Sequence, residues 1–293
     1  VVGEPPHRRG FLGAAAGARP AFGHRPLFHR LQQHVGVGLW HHRSQQHQPR
    51  HRAGLGPDFP AITLADIVGV QHRLLQRLGV THLKAVVGPS YGGWQALQWA
   101  FQHPAMVDAV GAIVSGLTHP AGLSAQGQLE RLSSSPEWQG GRYHEHGGMP
   151  ETLFALRQQT MRNYGLERLY QERVPDPAER QALLDQQCRH WAGRFDPYSL
   201  VVLAAAAEKF DVRQRMADLR ARFLFVVCTT DAVFPPNPAI EALVRSVPAQ
   251  TRYVELDSPY GHMASGVEWR RLEADLRWLL PQTETETETE ETP

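Results

Sequence analysis

Three residues of this sequence, Ser90, Asp231 and His262, have the side-chain types and the chain order of a nucleophilic triad. A serine hydroxyl is a weak nucleophile until a base removes its proton. The usual base is a histidine that a carboxylate holds in the correct tautomer. Each residue follows a short apolar run typical of a β-strand, so the three are expected to meet at one edge of a parallel sheet. We therefore predict that they form a catalytic triad.

The serine stands at the centre of a glycine-rich turn, GPSYGG at 88–93. Gly88 and Gly92 are small enough to let a strand and a helix approach closely around a strained serine. The pattern G-x-S-x-G alone arises by chance in on the order of one chain in ten. Here a predicted strand precedes it and a predicted helix follows it. The context favours Ser90 as the nucleophile, with the backbone N–H of Tyr91 as one donor of an oxyanion hole.

Ordinary structural roles stay open for the other two residues. Asp231 could cap a turn before Pro235 and Pro236, and His262 could be one surface histidine in a chain that contains 16. Either alternative is plausible alone. Their joint position at successive strand ends, in the order a triad requires, favours the catalytic interpretation.

The elements that would position these residues alternate between strands and helices, which predicts an α/β protein with a mostly parallel sheet. Strands are predicted at 83–87, 110–114, 223–229 and 251–256, and helices at 63–78, 94–103, 238–247 and 267–280. The segment at about 120–210 is rich in Gln, Arg, Trp and Leu at helical spacing and is interrupted by Gly and Pro. We predict that it is a helical cap inserted between two strands.

The chain divides into three regions by composition. Residues 1–55 contain one acid, Glu4, and no lysine, and their many His, Arg, Gln and Gly residues follow neither a 2-residue nor a 3.6-residue period. We favour a frame or gene-model artefact over a functional basic arm, so that the strands expected to open the fold are missing or mis-framed. Residues 56–281 form the predicted folded domain. Residues 282–293 alternate Thr and Glu and are expected to be disordered.

Composition excludes several classes of function. Hydrophobic residues make up 42% and charged residues 20% of the chain, and no apolar run reaches the roughly 18 residues that span a bilayer. Cys188 and Cys228 are too few for a disulfide framework or a zinc pattern, so we expect a cytoplasmic protein. Nucleic-acid binding would rest on the basic segment alone and is not expected. Four histidines of that segment lack the acids or thiols of a metal site: His41, His42, His47 and His51.

Several stretches between residues 56 and about 280 resemble the homoserine O-acetyltransferase family and its esterase relatives. These stretches are 56–63, Asp66, 86–100, 194–196, 210–211, 231–236 and 260–262. The run GGWQA after the serine is more specific than the turn itself. The resemblance implies the α/β-hydrolase fold with an inserted helical cap. It also implies acyl transfer from acetyl-CoA or a similar acyl-CoA to a hydroxyl through an acyl-Ser90 intermediate, with no bound cofactor and no metal.

Two positions depart from that family and count against homoserine itself as the acceptor. Met263 follows the histidine, where these enzymes usually carry Asp, and Pro89 precedes the serine, where they usually carry Gly. Neither departure touches the triad. Two other readings stay open: an esterase that uses the same triad, and a mis-framed homologue with little activity. The oligomeric state is also open, with a homodimer among the options.

Overall fold

The computed structural model describes residues 56–280. Its centre is a parallel four-stranded sheet in the order β1-β2-β3-β4. The strands are β1 (Val86–Pro89), β2 (Ala109–Ile113), β3 (Arg222–Cys228) and β4 (Thr251–Leu256). The α/β class and the parallel sheet predicted from the sequence are therefore confirmed. The first strand begins three residues later than predicted, because Leu83 makes only an isolated bridge to Val107 before the chain bends at the exposed Lys84.

Helices cover the sheet and fill the long insertion between β2 and β3. In chain order they are α1 (Leu64–Arg77), α2 (Tyr91–Gln102), α3 (Ala125–Ser133), α4 (Pro150–Asn163), α5 (Leu166–Arg173), α6 (Pro177–Ala192), α7 (Tyr198–Ala207), α8 (Pro238–Arg245), α9 (Ala264–Val267) and α10 (Glu273–Leu279). Helix α1 begins where the sequence predicts. Thr63 accepts a hydrogen bond from the Asp66 N–H, and the Asp66 carboxylate accepts one from the Thr63 N–H.

Both faces of the sheet are buried, as a parallel sheet requires. Strand β3 shows this most clearly, because its side chains alternate between two apolar clusters. Phe223 and Phe225 pack in the cluster beneath α1, α2 and α8. Leu224 and Val226 pack in the cluster beneath α10. The continuous apolar run of β3 is explained by burial on both sides.

The insertion between β2 and β3 is helical, as predicted. Helices α3 to α7 occupy it, and two 3-10 helices, Pro136–Gly141 and Tyr143–His146, lie between α3 and α4. It has two apolar clusters of its own, one around Tyr143 and Leu153 and the other around Met161 and Leu169. We call this helical insertion the cap.

The predicted helix at 267–280 is wrong. The chain there forms α9, then a 3-10 turn at Trp269–Leu272, then α10. The backbone leaves helical values at Glu268, with φ −111° and ψ 28°. Arg271 donates hydrogen bonds to the carbonyl of Asp257 and to the Glu268 carboxylate, and these bonds hold the break in place. The apolar positions of the predicted helix are buried, as Leu272 and Leu279 show. Tertiary contacts nevertheless divide the segment into separate short elements.

Two regional predictions fall outside the described residues: the missing or mis-framed strands of 1–55 and the disordered tail of 282–293. Within 56–280, no helix has both the length and the apolar character needed to cross a bilayer. The same residues contain no group of three or more His, Cys, Asp or Glu side chains arranged to hold a metal ion.

Candidate active site

Ser90 lies at the tip of a sharp turn between β1 and α2. Its backbone has φ 53° and ψ −125°, a strained conformation for a residue with a side chain. Three hydrogen bonds hold it there. The Ser90 N–H donates to the carbonyl of Ile113 at 2.9 Å, and the Ser90 carbonyl accepts from the Ser115 hydroxyl at 2.7 Å and from the Gly93 N–H at 2.9 Å. The turn therefore presents a half-buried serine hydroxyl at the carboxyl edge of the sheet.

The small residues around Ser90 are required by close backbone approach. A Cβ atom on Gly88 would lie 2.3 Å from the carbonyl carbon of Gly92. One on Gly93 would lie 2.5 Å from the Cβ and Oγ of Ser115. Strand β1 and helix α2 can therefore meet at this angle only if position 88 carries no side chain, and α2 can lie against the residue after β2 only if position 93 carries none. The prediction is confirmed for Gly88 and wrong for Gly92, because a Cβ on Gly92 would meet only the Pro89 Cδ, at an ordinary 3.5 Å.

Gly88→Ala is expected to destabilise the protein by at least about 1–3 kcal/mol, because the added methyl overlaps backbone that cannot rotate away. Gly122→Ala is the matched control, since nothing lies within 4 Å of its added Cβ. The urea midpoint of unfolding measures both variants. Equal midpoints for the two variants would contradict the close approach of β1 and α2.

Asp231 and His262 meet as predicted. Asp231 follows β3 and His262 follows β4, and the His262 Nδ1 lies 2.8 Å from the Asp231 Oδ2. The residues are 2% and 6% exposed. The other carboxylate oxygen accepts from the Val233 N–H at 2.7 Å and from the Phe234 N–H at 3.3 Å. A carboxylate only accepts hydrogen bonds, so Nδ1 carries the proton and Nε2 is left free to act as a base.

Aromatic packing connects the serine turn to the histidine. Trp94, in the first turn of α2, meets Phe234 edge to face at 5.6 Å between ring centroids, and Phe234 lies 5.8 Å from the His262 ring. Among residues 56–280 no hydrogen bond joins Ser90 to His262. Contacts of this kind are often long in the absence of substrate and shorten when it binds. The structure brings all three predicted residues to the same edge of the sheet.

Tyr91, whose backbone N–H is the predicted oxyanion donor, begins the helix that follows Ser90. It is the first residue of α2, so its backbone N–H has no acceptor within the helix. Its side chain turns toward the cap, where the hydroxyl donates to the Leu203 carbonyl at 3.1 Å. Burial raises the pKa of this hydroxyl, which therefore stays protonated. In this fold a second oxyanion donor would come from a loop in the region of residues 1–55, where the sequence shows no such loop, and that region lies outside the described residues.

Three further residues lie around the site without having been predicted. The Thr230 hydroxyl accepts from the Gly261 N–H at 3.1 Å and donates to the Ser258 carbonyl at 2.6 Å. The Tyr164 ring, from the cap, packs on the His262 ring at a centroid distance of 4.6 Å. Thr230 could have been predicted from the sequence, because it is a polar residue directly before Asp231 at the end of a strand. Nothing in the sequence indicates Tyr164, because it belongs to a cap segment far along the chain from every motif.

Arg157, on α4, is the third of these residues. Its guanidinium is half-buried over the Trp191 ring at 5.1 Å, and burial lowers its pKa. It makes no ion pair with a carboxylate of the described residues; the groups that act on its charge are Tyr164, Cys188 and Tyr170.

Comparison with known proteins identifies the family to which this chain belongs. The family described as alpha/beta hydrolase fold matches residues 40–268. Homoserine O-acetyltransferase of Moorella thermoacetica is 33% identical over 252 residues, which are 78% of this chain and 67% of that protein. Homoserine O-acetyltransferase of Chlorobium chlorochromatii is 33% identical over 246 residues, 78% of this chain and 69% of that protein. The chain thus spans about two thirds of the length of these relatives.

Solved structures show the same fold. Homoserine O-acetyltransferase from Bacillus anthracis superposes with a TM-score of 0.70 at 22% identity, covering 83% of this chain and 71% of that one. An acetylester hydrolase from Corynebacterium glutamicum superposes with a TM-score of 0.63 at 22% identity, covering 75% and 68%. The chain belongs to the α/β-hydrolase fold family and, within it, to the homoserine O-acetyltransferase family with its esterase relatives.

Proposed function

We propose that this chain is a serine-dependent acyltransferase that moves an acyl group from an acyl-CoA to a hydroxyl. The observation that carries the proposal is the buried His262–Asp231 pair at the sheet edge where the strained Ser90 stands. A surface histidine or a turn-capping aspartate needs no such buried pairing. The relatives named homoserine O-acetyltransferase support acyl transfer as the class of reaction.

The proposed reaction has two half-reactions with an acyl-enzyme between them. The Ser90 Oγ attacks the thioester carbonyl while His262 Nε2 takes its proton, and the carbonyl oxygen becomes an oxyanion that the Tyr91 N–H stabilises. The C–S bond breaks and CoA leaves as a thiol with the proton from His262. The acceptor hydroxyl then gives its proton to His262 and attacks the acyl carbon. The bond between the acyl carbon and the Ser90 Oγ breaks, and His262 returns the proton to Oγ, which restores Ser90 as the alcohol. No bound cofactor is required.

The residue after the triad histidine counts against homoserine as the acceptor. Homoserine carries an ammonium as well as a carboxylate. Met263, directly after His262, packs against apolar residues of the cap and cannot pair with an ammonium. We therefore propose a hydroxyl substrate that carries no ammonium.

A hydrolase is the alternative, in which water takes the acyl group from the same acyl-enzyme. The likeness to an acetylester hydrolase favours keeping it open. Transfer and hydrolysis differ in whether water reaches acyl-Ser90 before the alcohol does. The cap is the element that would exclude water, and the Tyr91 hydroxyl contacts it at Leu203.

Product partition separates the two functions. The protein is mixed with acetyl-CoA, with and without a hydroxy acid, and free CoA, acetate and acetylated alcohol are measured. We expect the alcohol to increase CoA release and to appear as its acetyl ester, because it competes with water for the acyl-enzyme. Ser90→Ala is the control and should give neither product. Acetate alone at every alcohol concentration would establish a hydrolase, and no CoA release at all would support a homologue with little activity.

A further inference from the structure

The loop that carries His262 is held from two opposite sides. On the sheet side, Thr230 accepts the Gly261 N–H, next to the triad aspartate. On the cap side, the Met263 N–H donates to the Tyr164 carbonyl at 3.3 Å. The histidine thus lies between an anchor on the β3 loop and an anchor on the cap. Its position depends on both.

The cap anchor is a contact of two backbones that leaves no room for a side chain. Gly165 has φ +78° and Gly261 has φ +54°. A Cβ atom on Gly165 would lie 2.7 Å from the carbonyl oxygen of Tyr260 and 3.3 Å from the nitrogen of Gly261. One on Gly261 would lie 3.4 Å from the Tyr164 carbonyl oxygen. The turn between α4 and α5 is therefore pressed directly against the histidine loop.

Side chains of the same loop extend into the cap. The Tyr260 hydroxyl donates to the Glu172 carboxylate on α5 at 2.6 Å. This hydrogen bond raises the pKa of the Tyr260 hydroxyl, which keeps the proton that the bond needs. Tyr260, Met263 and Val267 pack against the cap's own apolar cluster. That cluster consists of Met161, Leu166, Leu169 and Cys188.

We propose that Gly165 and the Tyr260–Glu172 pair are positioning residues that set the place of His262 in the active site, so that the cap holds the catalytic base as well as covering the site. The proposal rests on the proposed triad. A displacement of the histidine by about 1 Å can lower the rate about 100-fold, because proton transfer from serine requires alignment. A cap that shifts outward would carry the loop with it and separate the base from Ser90.

The test compares two glycines of the cap that share a left-handed backbone but differ in their surroundings. Gly165→Ala introduces the overlap with Tyr260, whereas Gly147, at φ +88°, has nothing within 4 Å of an added Cβ. Both alanines strain the backbone to a similar degree. The readout is the rate at which a serine-directed fluorophosphonate labels Ser90, divided by the folded fraction from circular dichroism.

We expect Gly165→Ala to slow labelling by about 100-fold, while Gly147→Ala labels at the wild-type rate. Equal rates for the two variants would overturn the proposal. Labelling of Ser90 in the wild-type protein distinguishes failure of the proposed function from failure of the positioning role. If the wild type is not labelled, the proposed function itself fails, whereas normal labelling of wild type and of Gly165→Ala defeats only the positioning role.

A milder pair of changes keeps the proposal testable if Gly165→Ala does not fold. Tyr260→Phe and Glu172→Ala each remove one hydrogen bond and keep the ring packing. We expect each to lower kcat about fivefold at unchanged KM, the double variant to lose no more than either single one, and Glu172→Gln to recover the rate because its amide oxygen still accepts. Unchanged kcat in both single variants would overturn the proposal, as would additive losses.

Discussion

Ser90→Ala is expected to lower kcat by about 10⁶-fold. The methyl group cannot attack a thioester, and the turn at 88–93 contains no second serine or threonine. The rate of acetyl-ester formation measures the loss. Ser124→Ala is the control, because that hydroxyl caps α3 and takes no part in the site. Activity of Ser90→Ala within tenfold of the wild type would show that another group is the nucleophile.

Asp231→Asn is expected to lower kcat by about 10⁴-fold, the effect of leaving a triad histidine in the wrong tautomer. The asparagine amide can donate toward Nδ1, which moves the imidazole proton to Nε2 and removes the base. The substitution keeps the shape of a side chain that is only 2% exposed, so circular dichroism should show a folded protein.

A second prediction concerns the catalytic base, His262. His262→Ala should lose about as much activity as Ser90→Ala, since base and nucleophile act as one unit. The double variant of Asp231→Asn and His262→Ala should then be no worse than His262→Ala alone. Losses that multiply in the double variant would contradict a triad, because they would assign the two residues to independent steps.

The sequence predicted those parts of the molecule that depend on local pattern. The glycine-rich sequence at 88–93 predicted a strand, a strained serine and a helix in that order. It could do so because the close approach of strand and helix requires glycine. The polar residues Thr63 and Asp66 before an apolar helical pattern indicated the start of α1, and the structure shows that Thr63 is the N-cap. Strand β4 was predicted at its observed bounds, since the segment TRYVEL ends at Leu256 before the polar turn that begins at Asp257.

What the sequence could not predict depends on contacts between distant segments. The helix expected at 267–280 breaks at Glu268 because Arg271 bonds to Asp257, fourteen residues earlier. The contact of Tyr164 and Gly165 with the histidine loop joins positions almost a hundred residues apart, and no periodicity records it. A glycine in the sequence can indicate a position where two backbones meet closely, but the sequence does not show which segment it contacts.

The rate of the proposed reaction depends on whether residues 1–55 complete the oxyanion hole. The one predicted donor, the Tyr91 N–H, lies at the start of α2. Loss of the other donor lowers the rate about a hundred- to a thousand-fold in enzymes of this kind. If that segment does not supply it, we expect an acyl-enzyme that still forms on Ser90, but slowly.

The acyl-enzyme itself is the most direct test of the central claim, that Ser90 is the nucleophile of acyl transfer. The protein is mixed with acetyl-CoA, quenched in acid during turnover, digested and analysed by mass spectrometry. We expect one added acetyl group on the peptide that contains Ser90. This acetyl group should be lost when a hydroxyl acceptor is added, and it should be absent in Ser90→Ala. An acetyl group on a different residue that turns over with the acceptor, with the Ser90 peptide unmodified, would contradict it.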